Sequence, residues 1–157
     1  MVPYSYRSDP SVPAFDDRAP IIVFDGLCVL CSGGVQALFR LDRKALFKVA
    51  AIQQPIPQAL YRHYGLNAQT FDTFLLLADG LPHVKADAVL EVARRLGGVW
   101  ALFAAAGRLM PKGWRDAIYD WVQRNRIGWF GARQTCLMPT PDVAARFLAG
   151  ATPQLSA

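Results

Sequence analysis

The chain has 157 residues, 53% of them hydrophobic and 18% charged, a balance that suits one domain with a sizeable core and excludes a disordered chain. Seventeen Lys and Arg against twelve Asp and Glu give a net charge of +5. The basic residues are scattered and no stacking motif interleaves with them, so they read as solvated helix faces and not as a nucleic-acid surface.

Residues 1–19 hold Pro3, Pro10, Pro13 and five charged side chains without an apolar h-region. They read as a flexible, extended N-terminal arm, and no secretory signal peptide is expected. The longest apolar stretch, Val99 to Ala106, falls well short of the ~20 residues of a membrane helix, so no transmembrane segment is expected. Three cysteines do not make a secreted disulfide framework, and a reducing, cytoplasmic location is the expectation.

Ile21 to Asp25 reads as a first, buried strand. The next helix begins around Cys28 and Cys31 and runs to about Leu41, with Cys31, Val35, Leu38 and Phe39 on one face. Leu46 to Ile52 is a second strand, Gln53 to Pro57 breaks it, and Gln58 to Tyr64 is a short helix. Thr73 to Ala78 is a third, central strand. Asp79-Gly80 is a hairpin turn that returns Leu81 to Val84 antiparallel, with Pro82 implying an edge. Ala86 to Leu96 is a helix closed by Gly97-Gly98. The order β-α-β-α-β-β-α is that of a thioredoxin-like α/β core, residues 20–98.

Two further helices follow as an extension over 99–140, completing a single domain of residues 20–140, and 141–157 is a low-information tail. Val99 to Leu109 is apolar almost all round and is expected to be buried between other elements. Trp114, Ala117, Ile118, Trp121, Val122 and Asn125 repeat at helical spacing, and their aromatics are expected in the core.

The chemistry concentrates at Asp25-Gly26-Leu27-Cys28-Val29-Leu30-Cys31. Cys28 at a helix N-terminus faces unpaired backbone N–H groups and the positive end of the helix dipole, both of which favour a thiolate. Cys31, expected one turn deeper, can close a short disulfide. The pair therefore reads as an attacking Cys28 and a resolving Cys31, with a protein or small-molecule thiol or disulfide as substrate. Asp25 reads either as a carboxylate that moves the proton of Cys31 or as the cap of an Asp-Gly turn.

Two other classes stay open. The cysteines could be idle in a binding module whose partner surface is Trp114, Trp121, Trp129 and Phe130. They could instead be half of a zinc site completed by Cys136, His63 or His83, although the histidines read as solvent-exposed. Cys136 alone reads as a structural cysteine. Gly33-Gly34 is too little for a nucleotide loop, and no cofactor is expected. Lys85 and Asp87 read as helix capping or as a cation and an acid near the dithiol. Arg124 and Arg126 are candidates to pair with Asp25 or Asp87.

The motif Asp25-Gly26-x-Cys28-x-Leu30-Cys31 resembles the signature of the DCC family of thioredoxin-like thiol–disulfide oxidoreductases. The resemblance continues through Lys85-Ala86-Asp87-Ala88-Val89-Leu90, Leu96-Gly97, Pro111, Arg115-Asp116 with Tyr119, Arg124-Asn125-Arg126, Trp129-Phe130-Gly131 and Cys136. It spans about residues 20–140. It implies a thioredoxin-like fold, redox-active Cys28 and Cys31, and Asp25 as the acid of the motif. Where thioredoxin enzymes carry a cis-proline before the third strand, this chain has Thr70-Phe71-Asp72.

Overall fold

The computed structural model describes residues 2–70, 73–132, 141 and 144–148. Four short strands, β1 (Ile21–Phe24), β2 (Lys48–Ala51), β3 (Leu75–Ala78) and β4 (Leu81–Val84), form one sheet in the order β2-β1-β3-β4. β1 pairs parallel with β2 and antiparallel with β3, and the Asp79-Gly80 turn returns β4 antiparallel as the edge strand carrying Pro82. With helices α1 (Val29–Leu41), α2 (Pro55–His63) and α3 (Lys85–Leu96) between and after the strands, the architecture is thioredoxin-like. α2 starts three residues before the expected Gln58, because Pro55 serves as a helix-starting residue and not as a breaker.

All of β1 is buried, so its side chains feed both faces of the sheet in alternation. Ile21 and Val23 join Ile56, Leu60, Tyr61 and Leu75 on the α2 face. Ile22 and Phe24 join Val35, Leu38, Leu76 and Ala88 on the α1 and α3 face. Cys31 packs against both clusters.

The N-terminal arm is docked and not free, and residues 144–148 of the tail pack on the sheet as well. Tyr6 is 2% exposed in the α2-side core, and the Tyr4 N–H donates to the Gly80 carbonyl at 2.8 Å. Gly80 has φ +76°, and a Cβ there would meet the Tyr4 ring at 2.6 Å, so this turn requires glycine. At the other end, Leu148 donates its N–H to Val49 and is buried, Phe147 packs beside Phe24 and Phe39, and Arg146 pairs with the buried Asp42 at 2.5 Å. A few apolar side chains in otherwise polar or Ala-rich segments suffice to dock them.

The last two helices depart most from expectation. α4 (Gly98–Leu109) is not buried, since Val99, Leu102, Phe103 and Leu109 are all more than half exposed. It packs on α3 through its small residues: Ala104 is buried with Leu90 and Ala93, and a Cβ at Gly107 would meet Leu90 at 2.7 Å. On α5 (Lys112–Phe130), Trp114, Ile118, Trp121, Trp129 and Phe130 are exposed, against the expected core role. The less exposed side chains include Arg115, Tyr119, Val122 and Arg126, at spacings of four, three and four. No helix among the described residues is long and apolar enough to cross a membrane.

Candidate functional site

Parallel pairing of β1 with β2 places the two strands' C-terminal ends side by side, with Phe24 opposite Ala51. The chain leaving β1 is thereby held against the chain leaving β2. The Gly26 N–H donates to Gln53 Oε1 at 3.2 Å, and the Gln53 amide donates to Asp25 Oδ1 at 2.9 Å. The same Asp25 oxygen accepts the Leu27 N–H at 3.0 Å, closing the turn that the Asp-Gly pair suggested. Gln53 carries no sequence signal of its own, and only the parallel register would have indicated it.

Cys28 is the N-cap of α1, and its Sγ accepts the Cys31 N–H at 3.4 Å. Sulfur thus takes the place of the usual capping oxygen and meets one of the helix's unpaired donors. Ser32, fully buried one residue later, ties the helix to the turn by donating to the Gly26 carbonyl at 3.3 Å.

The order of burial is the reverse of the expected one. Cys28 is 0% exposed, whereas Cys31 is half-buried. The reason lies after α5, where Gly131 at φ +82° turns the chain back across the start of α1. Ala132 bridges Cys28, and the Val29 N–H donates to the Gly131 carbonyl at 3.4 Å.

α5 also delivers Arg126. Its Nη1 lies 3.3 Å from Asp25 Oδ2 and 3.3 Å from Cys31 Sγ, with only 7% of the arginine side chain and 14% of the aspartate side chain exposed. One guanidinium therefore joins the motif's acid to its second thiol. Burial pushes the Cys31 thiol up to about 12, helped by its hydrogen bond to Cys28 and by the negative charge there, while the Arg126 cation pulls it back.

The remaining candidates lie elsewhere. Arg124 is exposed. Lys85 pairs with Asp120, and Asp87 with Lys112 and Arg115, so these charges tie α3 to α5. Tyr119 accepts the Phe74 N–H at 2.7 Å. His63 is not solvent-exposed: it bonds Ser5 and Asp9 and helps to hold the N-terminal segment. His83 lies half-buried on β4. Among the described residues no three His, Cys, Asp or Glu side chains gather as a metal site, and Cys136, Phe71 and Asp72 lie outside those residues.

Residues 22–132 match the family model described as DCC1-like thiol-disulfide oxidoreductase. The chain belongs to this DCC family. It is 36% identical over 128 residues to the uncharacterized protein YuxK of Bacillus subtilis (strain 168), covering 82% of this chain and 93% of that one. It is 28% identical over 121 residues to a chloroplastic DCC family protein of Arabidopsis thaliana, covering 77% of this chain and 70% of the relative. No solved structure matches it. The family match takes in the dithiol, Gln53 and the α5 arginine, so all the parts of this DCC site fall inside it.

Proposed function

We propose that this DCC protein is a thiol–disulfide oxidoreductase whose electrons are carried by Cys28 and Cys31, with Asp25 and Arg126 controlling the charge on the pair. The observation that carries the reading is the contact of Arg126 with both Cys31 and Asp25, beside a Cys28 sulfur that caps the helix. Structural cysteines in a core need no such cation, whereas a thiolate does. A cytoplasmic setting belongs to the same proposal and rests on the odd cysteine count.

The sequence favoured Cys28 as attacker and Cys31 as resolver, and the Cys31 backbone N–H donated to Cys28 Sγ supports an anion there. Burial favours the opposite order, because a partner cannot touch Cys28 while Gly131 and Ala132 cover it. We assign the first contact to Cys31. The Cys31 thiolate, formed beside Arg126, attacks, and Cys28 then closes the internal disulfide. Mixed-disulfide trapping tests the order: Cys28→Ser accumulates the covalent adduct, whereas trapping by Cys31→Ser alone restores the sequence-derived order.

The exposed Trp114, Trp121, Trp129 and Phe130 favour a second reading, a binding module with idle cysteines. A dithiol that resists both oxidation and alkylation at neutral pH would select it.

A further inference from the structure

We propose that the space beside Cys31 is a binding site for the apolar arm of a small, uncharged disulfide. This names the substrate class of the dithiol and rests on the oxidoreductase reading above.

Two cavities, of about 290 and 510 Å³, meet at a wall shared by Cys31, Phe74, Val89 and Phe103. Volumes of this order suit a small molecule, whose sites span roughly 300–1,000 Å³. The smaller cavity lies between α1 and the α3–α4 pair and carries no charged side chain on its wall. The larger one includes Arg115, whose Nη1 pairs with Asp87 while its buried Nε meets no hydrogen-bond partner among the described residues, so the case for an uncharged arm rests on the smaller cavity. In the smaller cavity a charged arm, such as that of a peptide-like disulfide carrying carboxylates, would lose its hydration without gaining a counter-ion. An alkyl arm loses nothing and gains burial.

Gly34 supports the assignment independently. It lies on the cavity wall one turn after Cys31, and a Cβ there would meet nothing within 4 Å. Glycine inside a helix costs about 1 kcal/mol relative to alanine, and no steric contact demands it at this position. Its place on the wall leaves room for a ligand next to the sulfur.

The exchange balances without a further reactant. The Cys31 thiolate attacks one sulfur of R–S–S–R, forming Cys31–S–S–R and releasing R–S⁻, which takes a proton. The Cys28 thiolate then attacks Cys31 Sγ and expels the second R–S⁻, which is protonated in turn. The substrate is reduced to two thiols by two electrons, the protein is left with a Cys28–Cys31 disulfide, and the two thiol protons end on the products.

The test uses the reduced full-length protein with dimethyl, diethyl and di-n-propyl disulfides, and with bis(2-hydroxyethyl) disulfide as the near-isosteric polar partner of the propyl compound. Protein oxidation is followed by stopped-flow quenching and mass measurement. The rate constant is expected to rise about fourfold per methylene on the entering arm, the value of a buried CH₂, and to favour propyl over hydroxyethyl at least tenfold. Gly34→Leu, which fills the cavity while improving helix propensity, is expected to remove that preference, and Val89→Phe does so from the opposite wall. Di-n-propyl sulfide, which cannot exchange, is expected to shift the methyl NMR signals of Val35, Leu38 and Val89. Equal rates for propyl and hydroxyethyl, or unmoved methyl signals, overturn the apolar site and leave the dithiol reading standing. Oxidation by none of the four disulfides overturns the substrate assignment, and the dithiol reading falls with it only where neither cysteine variant traps a mixed disulfide.

Discussion

Arg126 Nη1 stands 3.3 Å from Cys31 Sγ, although 95 residues separate them in the chain. The same nitrogen touches Asp25, so the helix appended to the thioredoxin-like core supplies the one cation seen at the dithiol among the described residues. Replacing Arg126 with Met keeps the bulk and removes the charge. The Cys31 thiol then rises further, because burial and Cys28 still push it up and nothing opposes them. Alkylation of Cys31 at fixed pH is expected to slow at least tenfold, matching a charge-assisted hydrogen bond of about 1.5–3 kcal/mol. Arg126→Lys restores part of the rate, and an unchanged rate in the Met variant would remove the cation's role.

Asp25 carries the other half of this relationship. With Arg126 in place, Asp25→Ala leaves a nearly buried guanidinium with one neighbour fewer, and it also removes acceptors for Leu27 and Gln53. Breaking a buried pair from one side costs about 3–5 kcal/mol. Denaturant unfolding is expected to show a loss near the lower end of that range, since the site sits at an edge of the core. Asp25→Asn keeps the turn's acceptor oxygen and should recover part of the loss, which separates the turn's contribution from that of the charge.

The core of this fold was legible because its signals are local. The buried run Ile21–Phe24, the Asp79-Gly80 turn and the dithiol at a strand–helix junction each declare themselves within a few residues. α5 misled because its inward face is polar for a reason the sequence cannot display. Arg115, Tyr119 and Arg126 turn inward because Asp87, the Phe74 backbone and the Asp25–Cys31 pair await them. Hydrophobic periodicity then selects the opposite, exposed face, and local rules fail where function is built. α4 misled differently, since its small residues make the contact and its large ones face out. Arg126 was readable only as a candidate partner for Asp25 or Asp87. Its contact with Cys31 depends on how α5 lies across the sheet.

Cys28→Ser tests the effect of Cys28 on Cys31 while preserving the helix, because serine is a favourable N-cap. It deletes both contributions through which Cys28 raises Cys31, the hydrogen bond and the negative charge, and leaves burial and Arg126. The Cys31 pKa is therefore expected to fall below about 12 while staying above its ordinary value of 9.0, since burial, the largest cause, remains, as read from thiolate absorbance across a pH titration. A value that stays near 12 would mean that burial alone sets it.

The raised Cys31 thiol also predicts the alkaline limb of stability. Its folded pKa lies above the unfolded one, so the folded state binds the proton more tightly. That contribution is fully present below the unfolded value of 9.0 and is lost as the pH rises toward about 12. Reduced wild-type protein is therefore expected to lose stability over this window more steeply than Cys31→Ser, measured by denaturant midpoints under reducing conditions. Equal slopes for the two proteins would show that the thiol is not proton-linked to folding.

Gly131 governs access to the second sulfur. Its φ of +82° with ψ near 180° is a region that essentially only glycine occupies, and an added Cβ would touch nothing within 4 Å. Gly131→Ala therefore imposes backbone strain of about 1–3 kcal/mol without a clash. The cheapest relief is to release the pairing of Gly131 and Ala132 with Val29 and Cys28, which uncovers the cysteine. Alkylation of Cys28 is expected to accelerate by tenfold or more in this variant, while Cys31, open on its cavity side, changes little. Peptide mapping after iodoacetamide labelling separates the two sites. Acceleration at both cysteines alike would mean that the substitution loosens the whole helix terminus and not the cover over Cys28.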